Sequence, residues 1–343
     1  MHIVRSLFIV LCLLLVGCAS APKKAAEAAP AVAFDADSAY RFVAGQVAFG
    51  PRVPGTEAHQ QCLLYIGQTL ERFGAQVQIQ TGEMIRYDGQ MQHVANICAH
   101  LPADSAYADR PAILLAAHYD SRPWADQEED YTHRTIPIPG ANDGASGVGV
   151  LMEVARQWQR QQEHKRPVDI VLFDCEDMGT PAFYTGKQLP HSWCLGAQLW
   201  ANTYIQQRSA PPSNSASVLT ASALYAYGIL LDMVGDPNAS FPREYYSMQY
   251  AGKYVDKIWR TAEQLGFAHR FVSTRTYPIT DDHYYVNTIA KIPCVDIIHY
   301  VPGGETGFAW WWHTQKDDMS NVNPNTLREV GMVMMTLINA TDN

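Results

Sequence analysis

Apolar runs that alternate with segments of helical period organise this chain from residue 37 onward. Asp37–Ala48 and Thr56–Phe73 carry apolar residues at helical spacing, separated by the breaker-rich Gly50-Pro-Arg-Val-Pro-Gly55. Strand-like runs follow at Val77–Gln80, His93–Leu101 and Ala112–Ala117. Ala145–Gln161 returns to helical spacing through Val148, Leu151, Met152, Ala155 and Trp158. Val168–Phe173 is a short strand, apolar except for Asp169; Leu195–Ile205 reads as a helix and Ile229–Leu231 as a strand. Tyr250–Leu265, Cys294–Ile298 and Asn325–Ile338 read as helix, strand and closing helix. This alternation predicts one α/β domain over 34–343, with a mostly parallel, mixed central sheet and helices on both faces. No internal repeat interrupts it, and 211–217 reads as a loop within the domain. The long segments 119–142, 178–194 and 299–311 read as the rim of a substrate pocket, because loops of that length in a compact domain are usually functional.

The residues that carry chemistry sit just beyond these apolar runs. His118-Tyr-Asp120 follows Ala112–Ala117, and Glu176-Asp177 follows Val168–Phe173. Asp232 ends another run, Asp143 lies in Gly140-Ala-Asn-Asp-Gly-Ala-Ser-Gly147, and His313 in Trp312-His-Thr314. In open α/β sheets the carboxyl ends of the strands form the reactive edge, so these segments converge there. Zinc takes carboxylate and imidazole donors, and a catalytic site leaves one position open. Asp143, one acid of the Glu176-Asp177 pair and His313 make such a set. Neighbouring side chains at a strand end face different ways. One acid can therefore bind metal while the other faces substrate as a general base.

Composition narrows the partners. Of 343 residues, 47% are hydrophobic and 17% charged, enough for one large core or two modest ones. Met1–Gly17 has Arg5 followed by an apolar run too short to span a bilayer, and ends in Leu15-Val-Gly-Cys18. That tetrapeptide resembles a bacterial lipobox, so 1–17 is expected to be a lipoprotein signal peptide and Cys18 the lipidated residue. Residues 18–33 then read as a flexible Ala/Pro/Lys tether. Ala19 after the cysteine suggests an outer-membrane anchor facing the periplasm. Cleavage removes one arginine and no acid, which takes the net charge from −9 to −10. A chain this acidic, with no basic run, is a poor ligand for nucleic acid. Besides Cys18 the mature chain holds Cys62, Cys98, Cys175, Cys194 and Cys294, an odd number with no C-x-x-C pattern. Cys175 and Cys294 read as buried hydrophobes. An exported location permits a disulfide, with its pairing open. His164, His191 and His269 read as surface residues. Trp310 and Trp311 read as rim or core aromatics, and Asp317-Asp318 either orients a loop or is solvated.

These motifs together resemble peptidase family M28, the zinc aminopeptidases, and their offshoot the glutaminyl-peptide cyclotransferases, from about Phe42 to the C-terminus. Asp281-Asp-His283, Leu231-Asp-Met-Val-Gly235 with Pro237 and Phe241-Pro242, Gly50-Pro-Arg52 and Trp312 before His313 resemble the cyclotransferases, and Ser192-Trp-Cys-Leu-Gly196 their bacterial members. The resemblance implies a zinc-aminopeptidase-like fold with one zinc ion on Asp143, Asp177 and His313. It also implies Glu176 as proton shuttle, networked with Asp232 and Asp281. Trp312 lines the implied pocket and His299 lies near it, with Trp193 or Phe183 as the second pocket aromatic. The implied reaction is cyclisation of an N-terminal glutamine of a peptide or protein, with release of ammonia, by a monomer that meets the membrane only through its lipid. An aminopeptidase would use the same residues with a second zinc on His118 and Asp232, bridged by Asp143. A metal-free binding lipoprotein is the third reading.

Overall fold

Strand residues alternate between two cores, and that alternation places the reactive edge. The computed structural model describes residues 33–209, 225–304 and 306–340. The elements are α1 (Ala36–Val47), α2 (Glu57–Arg72), β1 (Gln76–Ile85), β2 (Met91–Leu101), β3 (Ala112–His118), α3 (Ala145–Gln159) and β4 (Val168–Phe173). They continue with α4 (Leu195–Ser209), β5 (Tyr225–Asp232), β6 (Phe241–Arg243), α5 (Tyr245–Gln264), β7 (Phe271–Arg275), α6 (Asp282–Tyr285), β8 (Cys294–Ile298) and α7 (Pro324–Asn339). The signal peptide assigned to 1–17, Cys18 and all but the last residue of the tether assigned to 18–33, and the loop at 211–217, lie outside the described residues. Among the described residues no helix is long and apolar enough to cross a membrane.

The main sheet has six strands in the order β1-β2-β4-β3-β5-β8. β3 pairs in parallel with β4 and β5, and β5 with β8, while the β1–β2 and β2–β4 pairs are antiparallel. Ile113, Leu115, Ala117, Ile170, Leu172, Ile229 and Leu231 face a core shared with α1, α2, α3, α5 and α7. Leu114, Ala116, Val171, Phe173 and Leu230 face the opposite core, closed by α4 and by the helical turn after α6. The lone charge in β4, Asp169, is buried but accepts a hydrogen bond from Tyr225 Oη at 2.5 Å and pairs with His100 at 2.6 Å. The chain runs from β3 to β4 on one side of the sheet and reaches β5 on the other side of β3. A crevice therefore opens beyond the carboxyl ends of β3, β4 and β5, where the strand order reverses.

Helix starts follow their caps. Asp35 accepts from the Asp37 and Ser38 amides, Thr56 from that of His59 and Asn323 from that of Asn325. Three features were not visible in the hydropathy pattern. β1 extends to Ile85 as the outer arm of a hairpin with β2, β6 and β7 pair as a separate short sheet, and α6 continues into a π-turn at Val286–Ala290. Cys62, Cys98, Cys175, Cys194 and Cys294 are all free and buried, so no disulfide forms among the described residues.

The second core is small, and Trp200 is its largest member, 1% exposed and stacked on Tyr204. Trp200→Ala is expected to lower the unfolding free energy by about 3–5 kcal/mol, read from urea denaturation. A loss below about 1 kcal/mol would show that this core collapses around the gap.

Candidate metal centre

His118 and Asp232 end strands β3 and β5, whereas the turns that carry Asp143 and Asp177 have their backbone tied down by buried charges. The loop carrying Asp143 is gripped from both ends. Arg52, fully buried, donates to the carbonyls of Tyr119, Pro139 and Gly140 at 3.1, 2.6 and 2.6 Å. Asp317 accepts the amides of Asn142 and Asp143 at 2.7 and 3.1 Å, so of the two readings of that acid it is the loop-orienting one that holds. Gly144 has φ +90°, and a Cβ there would sit 2.5 Å from the Asp120 carbonyl oxygen. At Gly147 a Cβ would sit 2.3 Å from the Leu231 carbonyl oxygen, so glycine also lets α3 approach β5.

The acid pair is set by Asp120. Its two carboxylate oxygens accept the amides of Glu176 and Asp177, each at 3.2 Å. Arg122 holds the same turn from the other side: it donates to the Asp177 carbonyl at 3.0 Å and forks onto Asp126 at 2.9 and 2.6 Å. Asp126 in turn pairs with His313 Nδ1 at 3.4 Å, which leaves Nε2 for the centre. A carboxylate behind a ligating imidazole fixes its orientation and raises its basicity. Neither Arg52, Asp120, Arg122 nor Asp126 was singled out from sequence as a positioning residue.

At the centre, His313 Nε2 lies 3.2 Å from Asp177 Oδ1 and 3.4 Å from Asp143 Oδ2. On the other side of Asp143, His118 Nε2 lies 3.0 Å from Asp143 Oδ1 and 3.2 Å from Asp232 Oδ1. Two donor triads, Asp143–Asp177–His313 and His118–Asp143–Asp232, thus share one carboxylate. The donor set fits zinc on a structural ground as well as a chemical one. Asp177 Oδ2 is buried with no hydrogen-bond partner, and a cation beside it would satisfy that oxygen.

The electrostatics agree. Burial pushes the Asp143 carboxyl up, but hydrogen bonds to His118 and His313 overcome it and hold the group well below the usual carboxylate range. Burial and Arg122 push the His313 imidazole down; Asp177, Asp126 and Asp143 outweigh them and raise it to about 10. Glu176 behaves oppositely to Asp143. Burial, then the charge of Asp177, lifts it well above its ordinary value. Burial also raises Asp232, to about 7, and Asp281.

Glu176, Asp232, Asp281 and Trp312 line a cavity of about 870 Å³ with the metal donors. The Trp312 ring stacks on His313, with centroids 3.5 Å apart. Trp193 also lines the cavity, parallel to His313 at 6.4 Å, whereas Phe183 packs on Trp124 and does not line it. His299 lies beside that cavity but does not line it. It lies on the wall of a neighbouring cavity, accepting the Ser240 amide on Nδ1 at 3.0 Å, because the side chain at the end of β8 turns away from the centre. His191, an exposed residue, lies at the cavity rim, Trp311 is buried and Trp310 is 78% exposed. His313, Cys175, Cys194 and Met233 all have φ between +49° and +57°. Such backbone costs about 1–3 kcal/mol each and clusters at functional sites.

Asp126→Asn should keep the fold and weaken metal binding about 10–100-fold, read by chelator competition. An unchanged affinity would mean that Arg122 alone positions the loop.

A carboxylate–histidine centre at the switch point of a mixed sheet places this protein among metal-dependent α/β enzymes. The profile of peptidase family M28 matches residues 96–338, and the chain belongs to that family. It is similar to a solved Zn-dependent exopeptidase of Parabacteroides distasonis, 42% identical, covering 91% of this chain and 100% of that one, with a TM-score of 0.81. The solved glutaminyl cyclase of Tannerella forsythia is also 42% identical, over 90% and 99% of the two chains, with a TM-score of 0.80. Among curated proteins, the glutaminyl-peptide cyclotransferase of Boiga irregularis is 22% identical over 244 residues, 66% of this chain. The chain spans 61% of that relative's length.

Proposed function

We propose that this protein cyclises the N-terminal glutamine of peptides and proteins to pyroglutamate, releasing ammonia, with one zinc ion held by Asp143, Asp177 and His313. The observation that carries this reading is the placement of Asp281 beside Glu176 in an aromatic-walled cavity. A buried carboxyl whose proton affinity is raised by its neighbours suits a shuttle that must first take a proton and then return it.

Zinc on this donor set supplies Lewis-acid polarisation of a carbonyl and stabilises the negative charge that develops on its oxygen. Trp312 and Trp193 wall the cavity and hold a glutamine side chain folded back toward its own amine. As the α-nitrogen bonds to the carbonyl carbon of the side-chain amide (Cδ), Glu176 accepts the proton that the amine loses. Glu176 then gives that proton to the γ-amide nitrogen, the carbon–nitrogen bond breaks and ammonia leaves. Asp281 helps to keep the affinity of Glu176 for the proton high between the two transfers, and Asp232, itself raised by burial and by the charge of Asp281, extends the carboxylate network.

The second triad, His118–Asp143–Asp232, favours one further reading: hydrolysis of N-terminal residues with two zinc ions. A single experiment separates them. The purified protein, with its zinc content measured, is incubated with a Gln-initiated peptide and with an aminopeptidase reporter. One equivalent of zinc and loss of one ammonia mass from the peptide support cyclisation; two equivalents and free amino acid overturn it. For localisation we propose an exported lipoprotein, cleaved before Cys18 and anchored to the outer membrane facing the periplasm. Globomycin-sensitive processing and labelling by palmitate would test that. Its partners on this reading are peptide substrates, with no nucleic acid and no second subunit.

A further inference from the structure

Behind the proposed base lies a sulfur that neither reading uses. Cys194 is wholly buried, with Sγ 3.3 Å from Glu176 Oε1. Its position is built by the backbone. The amides of Cys194, Leu195 and Gly196 donate to the carbonyls of Glu176, Cys175 and Asp174 at 3.0, 3.1 and 2.9 Å, lacing the two segments together. Cys194 is held at φ +57° as a result. Asp281 completes a triangle: one donor atom from each of Glu176, Cys194 and Asp281 lies within 4.8 Å of the others. Asp281 is 3% exposed and its Oδ1 accepts the Asp282 amide, while Oδ2 has no hydrogen-bond partner. Glu176 and Asp281 both line the cavity, which gives an ion a way in.

We propose that Glu176, Cys194 and Asp281 form an inhibitory site for a thiophilic divalent cation such as Cd2+, separate from the Asp143–Asp177–His313 set. One thiolate and two carboxylates suit a soft or borderline cation, whereas the catalytic triad offers no sulfur. On binding, a sulfur–metal bond forms and Cys194 loses its proton to solvent; no electron is transferred. Glu176 then coordinates the ion and can no longer accept the substrate's proton. That consequence rests on the cyclisation reading, but occupancy of the site does not.

The test titrates Cd2+ into the zinc-loaded full chain while following ultraviolet thiolate-to-cadmium charge transfer, retained zinc and turnover. The expected result is one cadmium bound with zinc retained, and absorbance that saturates in step with loss of activity. Cys194→Ser should abolish the absorbance and require roughly tenfold more cadmium for the same fractional inhibition, each variant referred to its own uninhibited rate. Cadmium X-ray absorption on the unmodified protein should find one sulfur neighbour, a readout that depends on neither the variant's folding nor activity. Zinc released mole for mole, only oxygen and nitrogen neighbours, or an unchanged response in Cys194→Ser would each overturn the site. A sulfur contact in a protein that forms no pyroglutamate would leave the site standing and remove the function.

Discussion

His313→Ala is expected to purify without its zinc and to lose turnover by at least about a hundredfold, while remaining folded. The imidazole supplies the only nitrogen in its triad, and its Nδ1 is already committed to Asp126. Removing it leaves two donors where there were three, so the remaining pair holds a cation weakly. The side chain belongs to neither core, so the unfolding transition should survive. The pH dependence has a definite sign. In the metal-free protein His313 is raised to about 10, so below that pH it carries a proton which the metal must displace. Zinc affinity therefore falls as pH falls through the neutral range, and in His313→Ala the slope should drop by the contribution of one proton. Chelator competition across pH 6 to 9 (roughly the range where loading stays measurable) reads both. A pH-independent affinity in the unmodified chain would remove His313 from the ligand set.

Much of this site was legible because parallel strands buried on both faces leave continuous apolar runs. His118 and Asp232 stand out as the polar residues that end such runs, and Glu176-Asp177 follows one closely. The same logic placed β3, β4, β5 and β8 and fixed the fold class. What stayed hidden acts through backbone groups. Arg52, Asp120 and Arg122 satisfy loop carbonyls and amides tens of residues away, which no periodicity marks, and Asp126 pairs with Arg122 inside a loop that has no periodicity. The one available signal was composition: charged residues beside the Gly/Pro-rich turn at 50–55 and within the long loop after β3. Asp282 to Ala290 is too short and too irregular to show a helical stripe, so the packing of α6 against β5 and β8 had no local signature. His299 marks the limit of that logic. A position beside a strand end gives proximity to the edge, but the side of the wall a residue faces is decided by the pleat.

Glu176→Gln is the sharpest test of the division of labour within the acid pair. It should retain zinc and lose turnover by about 10²–10⁴-fold. The amide keeps the size of the carboxyl and leaves Asp177, which alone of the pair faces His313, untouched. Its nitrogen cannot take a proton from the attacking amine, so the loss should fall on kcat. Loss of zinc in this variant would mean the two acids had been assigned in reverse. Stability adds an independent sign. A carboxyl whose proton affinity is raised on folding destabilises the native state increasingly as pH rises above its ordinary value. Glutamine removes that penalty, so the metal-free variant should unfold at the same or a higher denaturant concentration at pH 8. Activity lost with stability held or gained separates a residue kept for its proton from one kept for the fold. If the variant were both inactive and clearly less stable, Glu176 would be supporting the turn rather than moving a proton.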